Sequence, residues 1–257
     1  MAASASPSSS PPARSAGRLL AVLDAFDRRS PGLSLTEISE RAGLPPATAH
    51  RLVGLLADWG ALERDAAGVY HVGLKLWEVA ALAPRGVGLR EAAMPFLEDL
   101  YEATHENVHF AVRDGDEVVY IERISARAAV GVRSRVGARW PLHATGVGLV
   151  LLAHGDHVLQ ERVCGGELRA FTRHTVTDPA QLRRMLADVR RTGRAVSDRQ
   201  ITEDAVSVAA PVRGPGGDVV AAVSVVVHAD RPQRQRSLAP VVCVAARGIS
   251  RALGWRP

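Results

Sequence analysis

The run LTEISERAGLPPATAHRLVGLLADWG, residues 35–60, has helical spacing on both sides of an interruption at Gly43-Leu44-Pro45-Pro46. Ser34 and Glu37 stand at capping-box spacing: the serine hydroxyl accepts from the N–H three residues on, and the glutamate carboxylate accepts from the serine's own N–H. A helix therefore starts at Leu35, with Leu35, Ile38 and Ala42 on one face. Gly43 can take left-handed backbone without a Cβ penalty and ends it. Pro45 and Pro46 cannot continue a helix but can open one, because first-turn N–H groups have no intrahelical acceptor. A second helix follows at once, with Ala49, Leu52, Leu55, Leu56 and Trp59 at helical spacing and Thr48, His50 and Arg51 towards its exposed N-terminal part. Two short helices held at a steep angle by a tight turn are the elements of a helix-turn-helix. An ordinary corner between two core helices would read the same from these residues alone.

The flanking sequence narrows the choice. Leu62–Arg64 and Val69–Val72 read as two short strands joined by Asp65-Ala66-Ala67-Gly68, with Asp at the first and Gly at the fourth turn position. A hairpin directly after the second helix is a wing. Upstream, Ala16, Leu19, Leu20, Leu23 and Phe26 form the apolar stripe of a supporting first helix. This order is that of a winged helix-turn-helix, whose second helix enters the major groove of double-stranded DNA while the wing and the start of the first helix approach phosphates. Ala47, Thr48 and Arg51 would face the groove. Arg51 can read guanine by a bidentate pair, and Ala47 or Thr48 can meet a thymine methyl. His50 is placed either on a phosphate or in packing. Arg14, Arg18 and Arg64 are phosphate candidates that serve equally well as surface charges.

Net charge does not single out this region. The chain of 257 residues carries a formal +5, but residues 15–78 hold seven Arg or Lys against eight Asp or Glu. The excess lies near the C-terminus, where residues 179–257 hold thirteen Arg against six acids, most simply a solvated arginine-rich surface. A single winged module of this charge offers few contacts, so useful affinity calls for at least two copies on one operator. Cys164 and Cys243 have no partner spacing, which argues against a disulfide framework or a cysteine zinc site and fits a reducing cytoplasm. Residues 1–14 read as a disordered Ser/Pro/Ala tail without a secretory apolar core, and no uncharged apolar run of about 18 residues predicts a membrane span.

The rest of the chain alternates helices and hairpins, which predicts an α+β domain with helices packed on an antiparallel sheet. Lys75–Ala83 has helical spacing and ends before a hinge at Pro84-Arg85-Gly86. An amphipathic helix over 89–105 leads into two alternating strands around Asp114-Gly115, within residues 107–124. Val130–Arg133 is expected to extend the sheet. Helices near 143–153 and 179–192, strands near 206–212 and 219–227, and a closing helix over 235–253 complete the reading. At the start of the first of these helices the N–H groups of Thr145, Gly146 and Val147 can point at an anion, or Gly146 and Gly148 simply permit close packing.

The run AGLPPATAHRLVGLLADWGALERDAAGVYHVGLKLWEVA, with WPLHATGVGLVLLA and the segments VTDPAQLRRMLADVRRTGRAVSD and VSVAAPVRGPGGDVVAAVSV, resembles the IclR family of bacterial transcriptional regulators over about residues 15–255. The resemblance implies a DNA-binding unit over 15–73, a linker helix and hinge over 74–88, and a GAF-like effector-binding domain over 89–257 that helps homodimers pair into tetramers. It implies an effector pocket lined by Ala129, Val132, Trp140, Gly146, Val147, Ser197, Ser207, Ser224 and Val226, taking a small organic acid or aromatic metabolite that modulates DNA affinity, as in a repressor. The chain departs from the family where it has Pro45-Pro46-Ala47, since relatives commonly have Pro-Lys-Ser or Pro-Lys-Thr there. A small-molecule-binding protein without sequence-specific DNA binding is the alternative that this departure raises. The resemblance implies no enzyme activity and no cofactor. His143, Cys164, His174 and Asp178 can be drawn as a hydrolase set, but no nucleophile motif surrounds Cys164, and no histidine spacing matches a metal site.

Overall fold

The computed structural model describes residues 15–27, 29–83, 86–125, 130–132, 134–230 and 232–256. Arg14 with the rest of the 1–14 tail, the hinge residues Pro84 and Arg85, Ala129 and Arg133 lie outside them. The chain divides into two compact units, residues 1–83 and 84–257.

In the first unit, α1 (Ser15–Asp24), β1 (Gly32–Leu33), α2 (Leu35–Ala42), α3 (Pro46–Trp59), β2 (Leu62–Arg64), β3 (Tyr70–Val72) and α4 (Leu74–Ala80) follow in order. The hairpin β2–β3 gains β1 as a third antiparallel strand, with Leu33 opposite Tyr70, so the wing is a three-stranded sheet. Val22, Ile38, Leu44, Ala49, Leu52, Val53 and Leu62 form one buried cluster beneath the three helices. Three details depart from expectation. Leu55 and Trp59 are about half exposed, because Val53 and Leu56 fill the inward positions of α3. Phe26 lies beyond the end of α1 and still packs on the core. The linker helix starts one residue earlier than expected and ends at Ala80, with Ala81 and Leu82 in a turn.

The second unit contains α5 (Val87–Thr104), β4 (Asn107–Asp114), β5 (Glu117–Ile124), β6 (Arg139–Pro141), α6 (Gly146–Ala153), α7 (His157–Gly165), α8 (Pro179–Thr192), β7 (Ala195–Asp198), β8 (Ala205–Arg213), β9 (Val219–His228) and α9 (Pro232–Ala252). One antiparallel sheet runs in the order β6-β5-β4-β9-β8-β7. Strand alternation sorts the side chains by face. Phe110 and Val112 of β4, Val206, Val208 and Val212 of β8, and Val223, Val225 and Val227 of β9 point into a core shared with α5 and α9. The opposite face packs Ala111, Ala209 and Ala222 against α6, α7 and α8.

Here too the structure corrects the sequence reading. Val130–Val132 is not a strand; the sheet is extended by Arg139–Pro141, paired with Glu117–Val119. The expected helix at His143 begins at Gly146, because Thr145 is still extended and caps it through a bond from the N–H of Gly148 at 3.0 Å. Helix α7, capped by Asp156, and edge strand β7 had no expectation. Each is short, and its apolar content is supplied by neighbours rather than by a periodic run of its own.

Candidate nucleic-acid interface and effector cavity

The turn between α2 and α3 is built as its residues require. The N–H of Ser34 donates to Glu37 at 2.8 Å and the Ser34 hydroxyl accepts from the N–H of Glu37 at 3.3 Å, which keeps the Glu37 carboxyl below its usual range. Gly43 is left-handed at φ 63°, and the N–H of Leu44 returns to the carbonyl of Ser39 at 3.0 Å. The buried Ser39 hydroxyl donates to the carbonyl of Leu44 at 2.7 Å, closing the turn from inside. Pro45 is the N-cap of α3 and its carbonyl accepts from the N–H groups of Thr48 and Ala49, both at 2.9 Å.

This arrangement leaves Ala47, His50 and Arg51 exposed on successive positions of one helix face, with Thr48 half-buried beside them. Among the described residues neither Arg51 nor Arg18, exposed near the start of α1, is engaged in an ion pair or side-chain hydrogen bond. Arg64 is held on the wing: its Nε donates to the carbonyl of Gly68 at 3.3 Å and its guanidinium lies 5.5 Å from the centre of the Tyr70 ring. Asp65 braces the wing tip by accepting from His71 at 3.0 Å and from the N–H groups of Val69 and Ala67, and these bonds lower its carboxyl below the usual range.

In the second unit a cavity of about 60 Å³ opens where the polar end of the inner sheet face meets the start of α6. Of the residues implied by the family pattern, Val132, Trp140, Gly146, Ser197, Ser207 and Val226 line it. Val147 is packed in the α6 core instead, and Ser224 is buried on β9 opposite His109, its hydroxyl without a hydrogen-bond partner. His109, Tyr120, Ser134 and Thr145 also line the cavity, as do Gln200, Ile201, Thr202 and Ala205. Sequence reasoning named Thr145 at the start of the helix and missed the others. His109 carried a usable signal, a polar residue at a core-facing strand position; Gln200–Thr202 carried none, because they sit in a bend between strands.

Among the described residues no Lys, Arg, Asp or Glu lines this cavity. Its polar groups are hydroxyls, one carboxamide and one imidazole. Burial first, and then the Arg123 charge, push His109 down to about 3, so the ring is neutral, with its Nε2 2.8 Å from the Ser134 hydroxyl. Burial raises the Tyr120 phenol well above its usual value, opposed by a hydrogen bond with Thr145. Trp140 forms one aromatic wall, edge-on to Phe171 at 5.4 Å between ring centres. The first-turn N–H groups of Gly146 and Val147 have no intrahelical acceptor and lie at the positive end of the α6 dipole. Gly146 keeps the wall open, since a Cβ there would stand 2.6 Å from the Ser207 hydroxyl.

The residues of the hydrolase set are engaged separately. Cys164 is buried in the α6–α8 core with its thiol raised by burial, His143 contacts the carbonyl of Arg169, His174 faces Glu203, and Asp178 caps α8. Among the described residues no group of three His, Cys, Asp or Glu could hold a metal ion, and no helix is long and apolar enough to cross a membrane.

Comparison with known proteins gives the same two-part division. Residues 15–66 match the model of the IclR helix-turn-helix domain, and residues 82–251 match that of the bacterial transcriptional regulator IclR C-terminal domain. The chain is 31% identical over 246 residues to the HTH-type transcriptional regulator XynR of Escherichia coli (strain K12), covering 94% of this chain and 98% of that protein. It is 30% identical over 256 residues to the HTH-type transcriptional repressor AllR of Klebsiella pneumoniae, covering 98% and 94%. An IclR homolog from Microbacterium hydrocarbonoxydans, solved in complex with 4-hydroxybenzoate, superposes with a TM-score of 0.88 at 35% identity, over 92% of this chain and 97% of that one. With a winged helix-turn-helix at one end, a sheet-borne cavity at the other and matches to both family domains, the chain belongs to the IclR family of ligand-responsive, DNA-binding transcriptional regulators.

Proposed function

We propose that this regulator is a repressor that releases or tightens on its operator when a small aromatic acid enters the cavity of the second unit. The observation that carries the ligand class is the cavity's composition: an aromatic wall at Trp140, hydroxyl and neutral imidazole partners, and the first-turn N–H groups of α6 at the positive end of its dipole. A phenolic hydroxyl finds partners at His109, Ser134 or Ser207, and a carboxylate finds the helix start. The 4-hydroxybenzoate bound by the Microbacterium homolog and the repressor role of AllR support the same reading. Val147 and Ser224 act behind this lining, shaping the wall rather than touching the ligand.

On the DNA side, Ala47, Thr48 and Arg51 read the major groove, and His50, Arg18 and Arg64 meet phosphates. Two copies act together. Leu20, Leu55, Trp59, Leu74, Trp77 and Leu82 leave apolar surface exposed on the first unit, Trp77 at 67% and Leu82 at 81%, which a second copy can cover. A homodimer that covers it sets two recognition helices on half-sites about 10 base pairs or a multiple apart. The protein acts in the cytoplasm without catalysing a reaction, as its DNA-binding family and free Cys164 and Cys243 support. A ligand that prefers one arrangement of the two units by about 1.4 kcal/mol alters DNA occupancy tenfold.

The test is a mobility shift on DNA flanking the protein's own gene at low salt, with and without 4-hydroxybenzoate. Specific retardation that changes with the acid is expected. Absence of specific retardation would favour the small-molecule-binding alternative, and retardation indifferent to aromatic acids would overturn the ligand class.

A further inference from the structure

A second cleft in the same unit shares no residue with the first. It has a volume of about 250 Å³ and lies where β8 passes the end of α8 and the C-terminal half of α9. Arg213 and Arg247 line it together with the hydroxyl residues Thr192 and Ser250, the Cys243 thiol and Trp255. No carboxylate is among its lining side chains in the described residues.

The two guanidiniums are fastened without being neutralised. Arg213 donates from Nη1 to the carbonyl of Gly217 at 2.7 Å, and Arg247 donates from Nε to the carbonyl of Cys243 at 3.3 Å. Neither forms an ion pair among the described residues, and the exposed Arg194 adds a third positive charge at the Cys243 side. Arg213 is half-buried and Arg247 and Arg194 are exposed, so the three like charges give a positive surface that attracts an anion.

The obvious internal offset falls short. The C-terminal ends of α8 and α9 both reach the cleft, and each carries about −0.5 of an elementary charge. Together they offset about one positive charge of three, leaving a surplus of about two.

We propose that this cleft is a second ligand site, for a small dianion carrying a phosphate or a pair of carboxylates. The free edges of the Arg213 and Arg247 guanidiniums meet its oxygens as planar forks, while the Thr192 and Ser250 hydroxyls are held by the backbone carbonyls of Asp188 and Ala246 and only shape the wall. Trp255 covers the less polar part of the ligand. The volume of about 250 Å³ accommodates a phosphate or a small dicarboxylate. Because this cleft is distinct from the aromatic-acid cavity, the regulator can read two metabolites at once.

Cys243 reports on occupancy, as it lines the cleft while Cys164 is buried in the core. The experiment alkylates the full-length protein with a maleimide in inorganic phosphate, in succinate, or in sodium chloride of equal ionic strength, and maps the Cys243 product by mass spectrometry. At ten times the dissociation constant, a dianion should slow Cys243 alkylation about tenfold. Arg247→Gln and Arg213→Gln should each abolish that protection, whereas Trp140→Ala, in the other cavity, should keep it. Protection by phosphate alone or by succinate alone supports the site and assigns the ligand's chemistry. Equal rates in dianion and chloride, with no heat of binding by calorimetry, would overturn the proposal, as would protection that survives both arginine variants. If Arg247→Gln fails to fold by circular dichroism, Arg213→Gln and Arg194→Gln decide the outcome.

Discussion

The Nε2 of His109 on β4 stands 2.8 Å from the hydroxyl of Ser134, so a buried imidazole of the central sheet is joined to the segment that also brings Val132 to the cavity. The fold holds this ring neutral, with a pKa of about 3. An unfolded chain protonates it below about pH 6.5, so between these two values the unfolded state binds the extra proton. The stabilisation is therefore complete above pH 6.5 and is lost as the pH falls. From pH 7 to pH 5 the loss is about 2 kcal/mol, and His143 and His154, also lowered by burial, act in the same direction. Denaturant midpoints at the two pH values should differ accordingly, and His109→Asn should remove most of its own share. A variant with the full wild-type slope would contradict this role.

Two glycines on one helix turn should behave in opposite ways. Gly146→Ala places a methyl against the Ser207 hydroxyl, which can rotate away, so stability should change by less than about 1 kcal/mol while the ligand response is lost. Gly148→Ala sets its methyl against the carbonyl oxygen of Leu142, which is backbone, and against the Thr145 hydroxyl 2.5 Å away. It should cost about 1–3 kcal/mol and loosen the start of α6. Thermal unfolding and ligand titration of both variants separate the two effects.

Arg51→Ala should leave the fold intact, because the side chain is exposed. Competition between operator and random DNA should show a loss of about 1–3 kcal/mol in discrimination. Unchanged discrimination would mean that another part of α3 reads the bases.

The helix-turn-helix itself should show a graded response to substitution. Ser34→Ala removes the cap of α2 and should cost about 1 kcal/mol. Gly43→Ala meets no atom and should cost about 1 kcal/mol through left-handed backbone alone. Gly73→Ala drives a methyl into the backbone carbonyl of Gly60 and should cost more than either. Denaturant unfolding of the three variants would order them, and equal costs would show that packing between the end of α3 and the start of α4 is looser than the backbone implies.

What could be read without coordinates was chemistry whose partners lie within a few residues of each other. Ser34 finds Glu37, Gly43 ends one helix, Pro46 opens the next, and Asp65 closes a turn on Gly68. These choices depend on local backbone geometry, so the winged helix-turn-helix was legible, as was the Asp114–Glu117 hairpin end of the larger sheet. The start of α6 was misplaced by three residues because Thr145, rather than the apolar pattern, determines it.

The cavity could not be read in this way. His109 and Val226 are far apart in sequence and share the cavity only because β4 pairs with β9, while Gln200 and Trp140 arrive from opposite edges of the sheet. Burial acts in the same manner: Leu55 and Trp59 have the spacing of core residues, yet the core is filled by Val53 and Leu56 before they reach it. Local torsional and capping preferences thus determined where helices begin and end. Which faces are covered, which polar groups lose water and which residues share one cavity were decided by long-range strand pairing, because desolvation depends on atoms that the chain brings together only when it folds.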